Sequence, residues 1–205
     1  SVSQPTIEFV EPVDWPPGRP KEGGKQQAAW KHAGSRINFD QAVRRLREQT
    51  GLITKNGQNW RVREMTLSTN LPLRADGRPR RDRKRPADTA VAFFFELDGE
   101  AHSLQVDRYD RIEDNIAAIA AHIMALRGQE RWGVATIKQA FAGHAALPAP
   151  EQWHTVLGVR PDATKEDVDK AFRAKMADAH PDKETGSNDA AQRLNWARSE
   201  ANKRN

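Results

Sequence analysis

The chain has 205 residues, 37% hydrophobic and 30% charged, which is enough for one or two globular domains with modest cores. It contains no cysteine. That excludes disulfides, thiolate metal sites and cysteine nucleophiles, and it suits a reducing compartment, so a cytoplasmic location is expected. The net charge of +5 points to acidic partners, and its distribution along the chain narrows the choice.

Residues 1–35 carry "EPVDWPPGRPKEGGKQQ", whose prolines and glycines oppose regular structure and predict an extended arm pinned at Trp15. Residues 36–146 read as an α+β domain. Asn38 and Gln41 have capping-box spacing and open a helix with Phe39, Val43 and Leu46 on one face, stopping near Gly51. "WRVREMTLS" is a candidate strand, and "VAFFFELDGEAHSLQV" reads as two strands about Asp98-Gly99, a type I′ hairpin signal. About three antiparallel strands are expected.

Ile112, Ile116, Ile119, Ile123 and Leu126 then form one apolar stripe on a helix that Gly128 can cap. Its "IAAIAAHIMAL" core is too short and interrupted to span a bilayer, so no membrane association is expected. A shorter helix over 135–142 ends at Gly143, and "AALPAP" reads as a linker.

Between the first and second strand candidates lies "LPLRADGRPRRDRKRP", residues 71–86, where Arg74, Arg78, Arg80, Arg81, Arg83, Lys84 and Arg85 face only Asp76 and Asp82. This segment alone holds a surplus equal to the net charge of the whole chain, and its three prolines predict an exposed, mobile loop. Guanidinium groups favour bidentate phosphate contact, which makes these seven residues candidates for binding DNA or RNA, with a solvated excursion or an acidic protein partner as the alternatives. Trp60, Arg61 and Arg63 on the preceding strand would add a stacking surface.

Catalytic and metal-binding patterns are sparse. Asp107, Asp110, Glu113 and Asp114 could form a carboxylate cluster, but Asp110 and Glu113 also fit a helix N-cap with favourable first-turn charge. His102, His122, His144 and His154 lack HExxH or paired metal spacing, and no glycine-rich phosphate loop is present. No cofactor and no zinc are therefore expected.

Residues 151–205 read as three helices: a short one ending at Gly158, a longer one over 164–179 with Val168, Phe172 and Met176 on one face, and a third from about Asp189 presenting Leu194, Trp196 and Ala197. "AHPDKE" breaks the sequence between the last two. Pro181 disfavours helical dihedrals at His180 and ends the helix, which presents His180, Pro181 and Asp182 at a turn.

Taken together, Leu157-Gly158-Val159, Ala171-Phe172-Arg173, His180-Pro181-Asp182-Lys183 and Leu194-Asn195 resemble the J-domain of DnaJ-type co-chaperones, over roughly the last quarter of the chain. The resemblance implies an all-α helical hairpin, not itself an enzyme, that docks on an ATP-bound seventy-kilodalton heat-shock-type chaperone and stimulates its ATP hydrolysis. It assigns the essential contact to His180, Pro181 and Asp182, with Lys170, Arg173 and Lys175 as supporting cations. This J-domain is trimmed and atypical. Its second helix is neutral, Lys175 and Ala179 stand where the family has leucine and tyrosine, and no convincing fourth helix follows.

"DWPPGRP", "LSTNLPL" and "RYDRIEDNIAAIAAHI" resemble uncharacterised J-domain-bearing proteins of bacterial and phage genomes. The expected function is an adaptor that brings the chaperone to a target held by residues 36–146. The alternative is a nucleic-acid-binding protein of a bacterial or phage mobile element with a degenerate J-like interaction module.

Overall fold

The computed structural model describes residues 3–16, 19–28, 30–80, 84–145, 151–179 and 187–203. They fall into two compact units, Ser1–Pro72 with Arg81–Ala149, and Pro150–Asn205 with Leu73–Arg80.

The first unit is built on a four-stranded sheet: β1 (Ile7–Val10), β4 (Val62–Thr69), β5 (Val91–Leu97) and β6 (Glu100–Val106), in the order β1-β4-β5-β6. A separate two-residue ladder joins β2 (Lys31–His32) to β3 (Ser35–Arg36). The expected antiparallel strands are β4, β5 and β6, and the β5–β6 turn has Asp98 at φ 52° and Gly99 at φ 83°. Positive φ at both central residues is what a type I′ turn requires. Glu64, at φ 48°, lies in the register shift between Arg63 and Thr66 on β4.

The strand count needs correction, because β1 comes from the proline-rich arm and pairs parallel to β4, with Ile7 opposite Met65 and Val10 opposite Ser68. The sheet is therefore mixed. Beyond β1 the arm stays on the sheet. The Asp14 amide donates to Ser68 Oγ at 2.8 Å, and Arg19 Nη2 donates to the Gln105 carbonyl at 3.0 Å. Ser68, Ala92 and Gln105 form one row across three strands, so the arm crosses that row and leaves Ala92 fully buried. Trp15 pins it locally, with Nε1 on the Arg19 carbonyl and Arg19 and Lys21 each 5.5 Å from its ring.

Two helices cover the opposite face. α1 (Phe39–Gly51) starts with both reciprocal bonds of the Asn38–Gln41 capping box and buries Phe39, Ala42 and Leu46. α2 (Ile112–Arg131) buries all five residues of its predicted stripe. They meet alternate residues of β5, Val91, Phe93, Phe95 and Leu97, in one core, as the two-residue period of a strand dictates. α3 (Ile137–Phe141) is held by a second capping box, Thr136 with Gln139, and sends Phe141 edge-on to Phe95 at 5.6 Å.

Two details of α2 differ from expectation. The residue before it is Arg111, which makes no side-chain cap bond, so Asp110 is not the N-cap, whereas Glu113 does supply the expected acidic charge in the first turn. Gly128 lies inside the helix, which runs on to Arg131 before Gly133 turns the chain at φ 74°. A methyl group at Gly128 would sit 2.7 Å from the Trp132 ring, so the glycine makes room for that indole.

In the second unit α4 (Trp153–Leu157), α5 (Lys165–Ala179) and α6 (Asn188–Asn202) close on Trp153, Val156, Leu157, Val168, Leu194, Ala197 and Ala201. Trp196 stays 42% exposed and outside the core, so it does not join Leu194 there as expected; the indole that does is Trp153.

Candidate functional site

The helical hairpin of α5 and α6 is the first candidate. α4 ends at Gly158, whose φ of 69° is the left-handed conformation that glycine adopts freely at a helix C-terminus. α5 opens where Thr164 Oγ1 accepts from the Asp167 amide at 3.2 Å and the Asp167 carboxylate accepts from the Thr164 amide at 3.3 Å. α6 opens with Ser187 Oγ accepting from the Ala190 amide at 3.1 Å. These local bonds fix where each helix starts, and the apolar faces then bring α5 onto α6.

One ion pair, missed in the sequence, locks the hairpin. Arg198 of α6 places Nη2 2.8 Å from Asp169 Oδ1 and lies 4.6 Å above the Phe172 ring. Asp169 is thus neutralised from α6 and Asp167 serves the helix start, so the carboxylates that make α5 formally neutral are partly consumed inside the fold. The signal was available as Asp169 and Phe172 at a three-residue spacing facing one arginine.

The three supporting cations do not form one group. With 3.6 residues per turn, Lys170 and Arg173 stand about 60° apart on the side of α5 opposite Val168 and Phe172, and both are exposed. Lys175 lies at the edge of the core-facing side, where its Cε is 3.4 Å from the point a Gly158 methyl would occupy. Its stem therefore covers the end of α4, as a lysine standing in for an apolar residue can. His180, Pro181 and Asp182 lie outside the described residues, in the segment joining Ala179 to Asn188.

The basic segment is the second candidate. Its described part is a closed turn: Leu73 bridges Pro79, the Arg74 amide donates to the Arg78 carbonyl at 2.7 Å, and the Gly77 amide to the Arg74 carbonyl at 3.0 Å. Leu73 and Pro79 are buried, so 73–80 is not the open excursion expected, while Arg74 and Arg78 are exposed. Arg74 lies 3.1 Å from Asp76. Arg80 is half-buried, Lys84 is exposed, and Arg81 and Arg83 fall outside the described residues. Arg85 is committed elsewhere, since Nη1 donates to Glu113 Oε2 at 3.0 Å and Nη2 to Oε1. Just before β4, Arg61 makes two bonds to Asp98, at 3.1 and 3.0 Å, and Lys55 sits 5.2 Å from the Trp60 ring.

The candidate carboxylates other than Asp107 are tied to arginines and not gathered round a common point: Arg36 reaches Asp110 at 3.9 Å as well as Asp114, and Arg111 lies 3.8 Å from Glu113 and 3.7 Å from Asp114. Asp107 accepts from the Gly23 amide at 3.1 Å, and Asp114, fully buried, meets Arg36 at 3.3 Å. Burial alone would push the Glu113 carboxyl up, but the Arg85 bonds outweigh it and hold it below the usual range. For Asp114 burial prevails and its carboxyl is raised, against the pull of Arg111 and Arg36. Next to them Asn115, also fully buried, donates to the carbonyls of Thr89 and Tyr109 at 2.8 and 3.1 Å and accepts from the Tyr109 amide at 3.0 Å. The "RYDRIEDN" stretch is thus a structural joint around an asparagine. Among the described residues no group of three or more His, Cys, Asp or Glu side chains is placed to hold a metal ion, and no helix is long and apolar enough to cross a membrane.

Residues 152–198 match the family model of the DnaJ domain. No curated protein matches the chain, and no solved structure does. The match covers α4, α5 and most of α6, the region that forms the helical hairpin. It supports a DnaJ-type co-chaperone role in general, the role of a class of proteins that are generally not catalytic.

Proposed function

We propose that the protein is an adaptor whose C-terminal DnaJ domain docks on an ATP-bound seventy-kilodalton heat-shock-type chaperone and stimulates hydrolysis at a target held by the N-terminal unit. The observation that carries this reading is the DnaJ match over 152–198 together with "HPD" at 180–182, in the connection between α5 and α6. A histidine and a carboxylate on either side of a proline suit polar docking, because both offer directed hydrogen bonds and proline reduces the entropy lost on binding. Lys170 and Arg173, on the outer side of α5, supply cations to the same partner, and Lys175 contributes mainly by covering the end of α4.

The test is single-turnover ATP hydrolysis by the chaperone of the same cell, with the wild type and with His180→Gln or Asp182→Asn. Stimulation by the wild type that both variants lose is expected. No stimulation by the wild type overturns the reading.

A second reading, nucleic-acid binding through the basic segment, is favoured by the closed turn that holds Arg74 and Arg78 outward. Arg80, Arg81, Arg83 and Lys84 would extend the phosphate-binding surface. Arg85 is the weakest member of that set, since Glu113 already occupies its guanidinium.

A further inference from the structure

His122 and His144 are 22 residues apart in the chain, and the fold brings their Nε2 atoms to 3.1 Å. His122 stands on α2, and His144 closes the single 3-10 turn Ala142–His144 that follows α3. Their rings are nearly perpendicular, at 85°, with centroids 5.0 Å apart. That separation is shorter than the N···N distance plus the depth of both rings, so the two imidazoles meet at an angle instead of running head to head.

We propose that this pair is a binding site for a late first-row divalent cation of the zinc and copper class. Imidazole nitrogens bound to one tetrahedral zinc at 2.0–2.1 Å stand about 3.3–3.4 Å apart, so a few tenths of an ångström separate the observed pair from chelating geometry. Imidazole is a preferred ligand of zinc, nickel and copper ions, whereas calcium and magnesium take oxygen ligands.

Two neutral imidazoles sharing a contact through Nε2 hold one hydrogen between them. Moving that hydrogen to Nδ1 of the same ring frees both Nε2 lone pairs, and no proton has to leave the protein.

His122 is exposed and His144 half-buried, so the remaining coordination positions open to water. With two protein ligands, and no third His, Cys, Asp or Glu converging among the described residues, the site is a weak, exchangeable one. Its mechanical effect is clear from the two elements it joins. A bound ion would fasten the turn at 142–144 to the middle of α2, just before the chain enters residues 146–150.

The test uses the untagged full-length protein titrated calorimetrically with zinc chloride at about pH 7.5. One ion per chain is expected, with a micromolar dissociation constant and a raised melting temperature, as for any ligand that binds only the native state. His122→Ala and His144→Ala should each weaken binding at least tenfold. The His122→Ala variant keeps the test decisive if removing His144 disturbs its turn, because His122 is on the exposed side of a long helix. With copper(II) as a second probe, electron paramagnetic resonance should register two imidazole nitrogens in the wild type and one in His122→Ala. No zinc uptake at about 100 µM, or unchanged affinity and an unchanged copper signal in His122→Ala, would overturn the proposal.

Discussion

Arg85 closes on Glu113 with both ends of its guanidinium, Nη1 lying 3.0 Å from Oε2. The Glu113 side chain is only 6% exposed, whereas that of Arg85 is 63% exposed. The pair is therefore lopsided: its value lies in not leaving a buried carboxylate bare. Arg85→Ala should cost about 1–2 kcal/mol, a figure reduced from a fully buried pair because Arg85 is largely solvated and Arg111 remains 3.8 Å away. Since the folded-state Glu113 carboxyl is held below its ordinary value, its contribution is present above the unfolded pKa and lost as pH falls through the folded one. Urea unfolding of wild type and Arg85→Ala should thus differ at pH 7 and converge as the pH drops from about 5 to about 3. A constant difference across that range would mean that Arg85 acts through packing.

A second prediction follows for nucleic acid. Replacing Arg78, Arg80, Arg81 and Arg83 with glutamine while sparing Arg85 removes charge from the basic segment without baring Glu113. If four to six phosphates are contacted, the wild type should give a log-affinity against log-salt slope of about −3 to −5, and the variant a shallower one. Absence of low-salt gel shifts with DNA and RNA in both strand forms would dismiss the site.

For the hairpin, Arg198→Ala should destabilise by about 1–2 kcal/mol, because it strips Asp169 of its partner and Phe172 of its cation at once. His180→Gln should abolish ATPase stimulation and change the melting temperature little. Comparing the two by calorimetry and by single-turnover hydrolysis separates folding from docking.

Gly128 and Trp132 form a testable couple. Alanine is favoured over glycine inside a helix by about 1 kcal/mol, yet at Gly128 the added methyl would meet the indole at 2.7 Å. Trp132 is 70% exposed, so the ring can swing away. Gly128→Ala should stabilise by about 0.5–1 kcal/mol in a Trp132→Ala background and by less in the wild type. Urea unfolding of the two single variants and the double variant checks the difference.

The elements legible in the sequence are those specified by neighbours. The Asn38–Gln41 box and the Asp98-Gly99 turn are each complete within four residues, and the α2 stripe repeats along a single helix. The β1 strand escaped because "IEFV" is four residues between two prolines and its parallel partner lies some sixty residues on, where no local signal reaches. Gly128 misled for a related reason. A glycine near the end of an apolar stripe is usually a stop, and only the indole four residues later explains why this one lies inside. The site was divided in the same way. Lys170 and Arg173 are placed by helical spacing alone, whereas the commitment of Arg85 to Glu113 and the meeting of His122 with His144 are produced by the tertiary fold.

The parallel strand contributed by the arm has one more consequence. β4 carries a row of backbone donors and acceptors from Met65 to Ser68 that β1 occupies. An unguarded strand edge of this kind is a template for adding a strand from another chain. Shortening the protein to begin at Arg36 would expose that edge along with the face the arm crosses. The shortened form should therefore self-associate with rising concentration in sedimentation experiments, so that four residues with no evident chemistry act as the guard against aggregation.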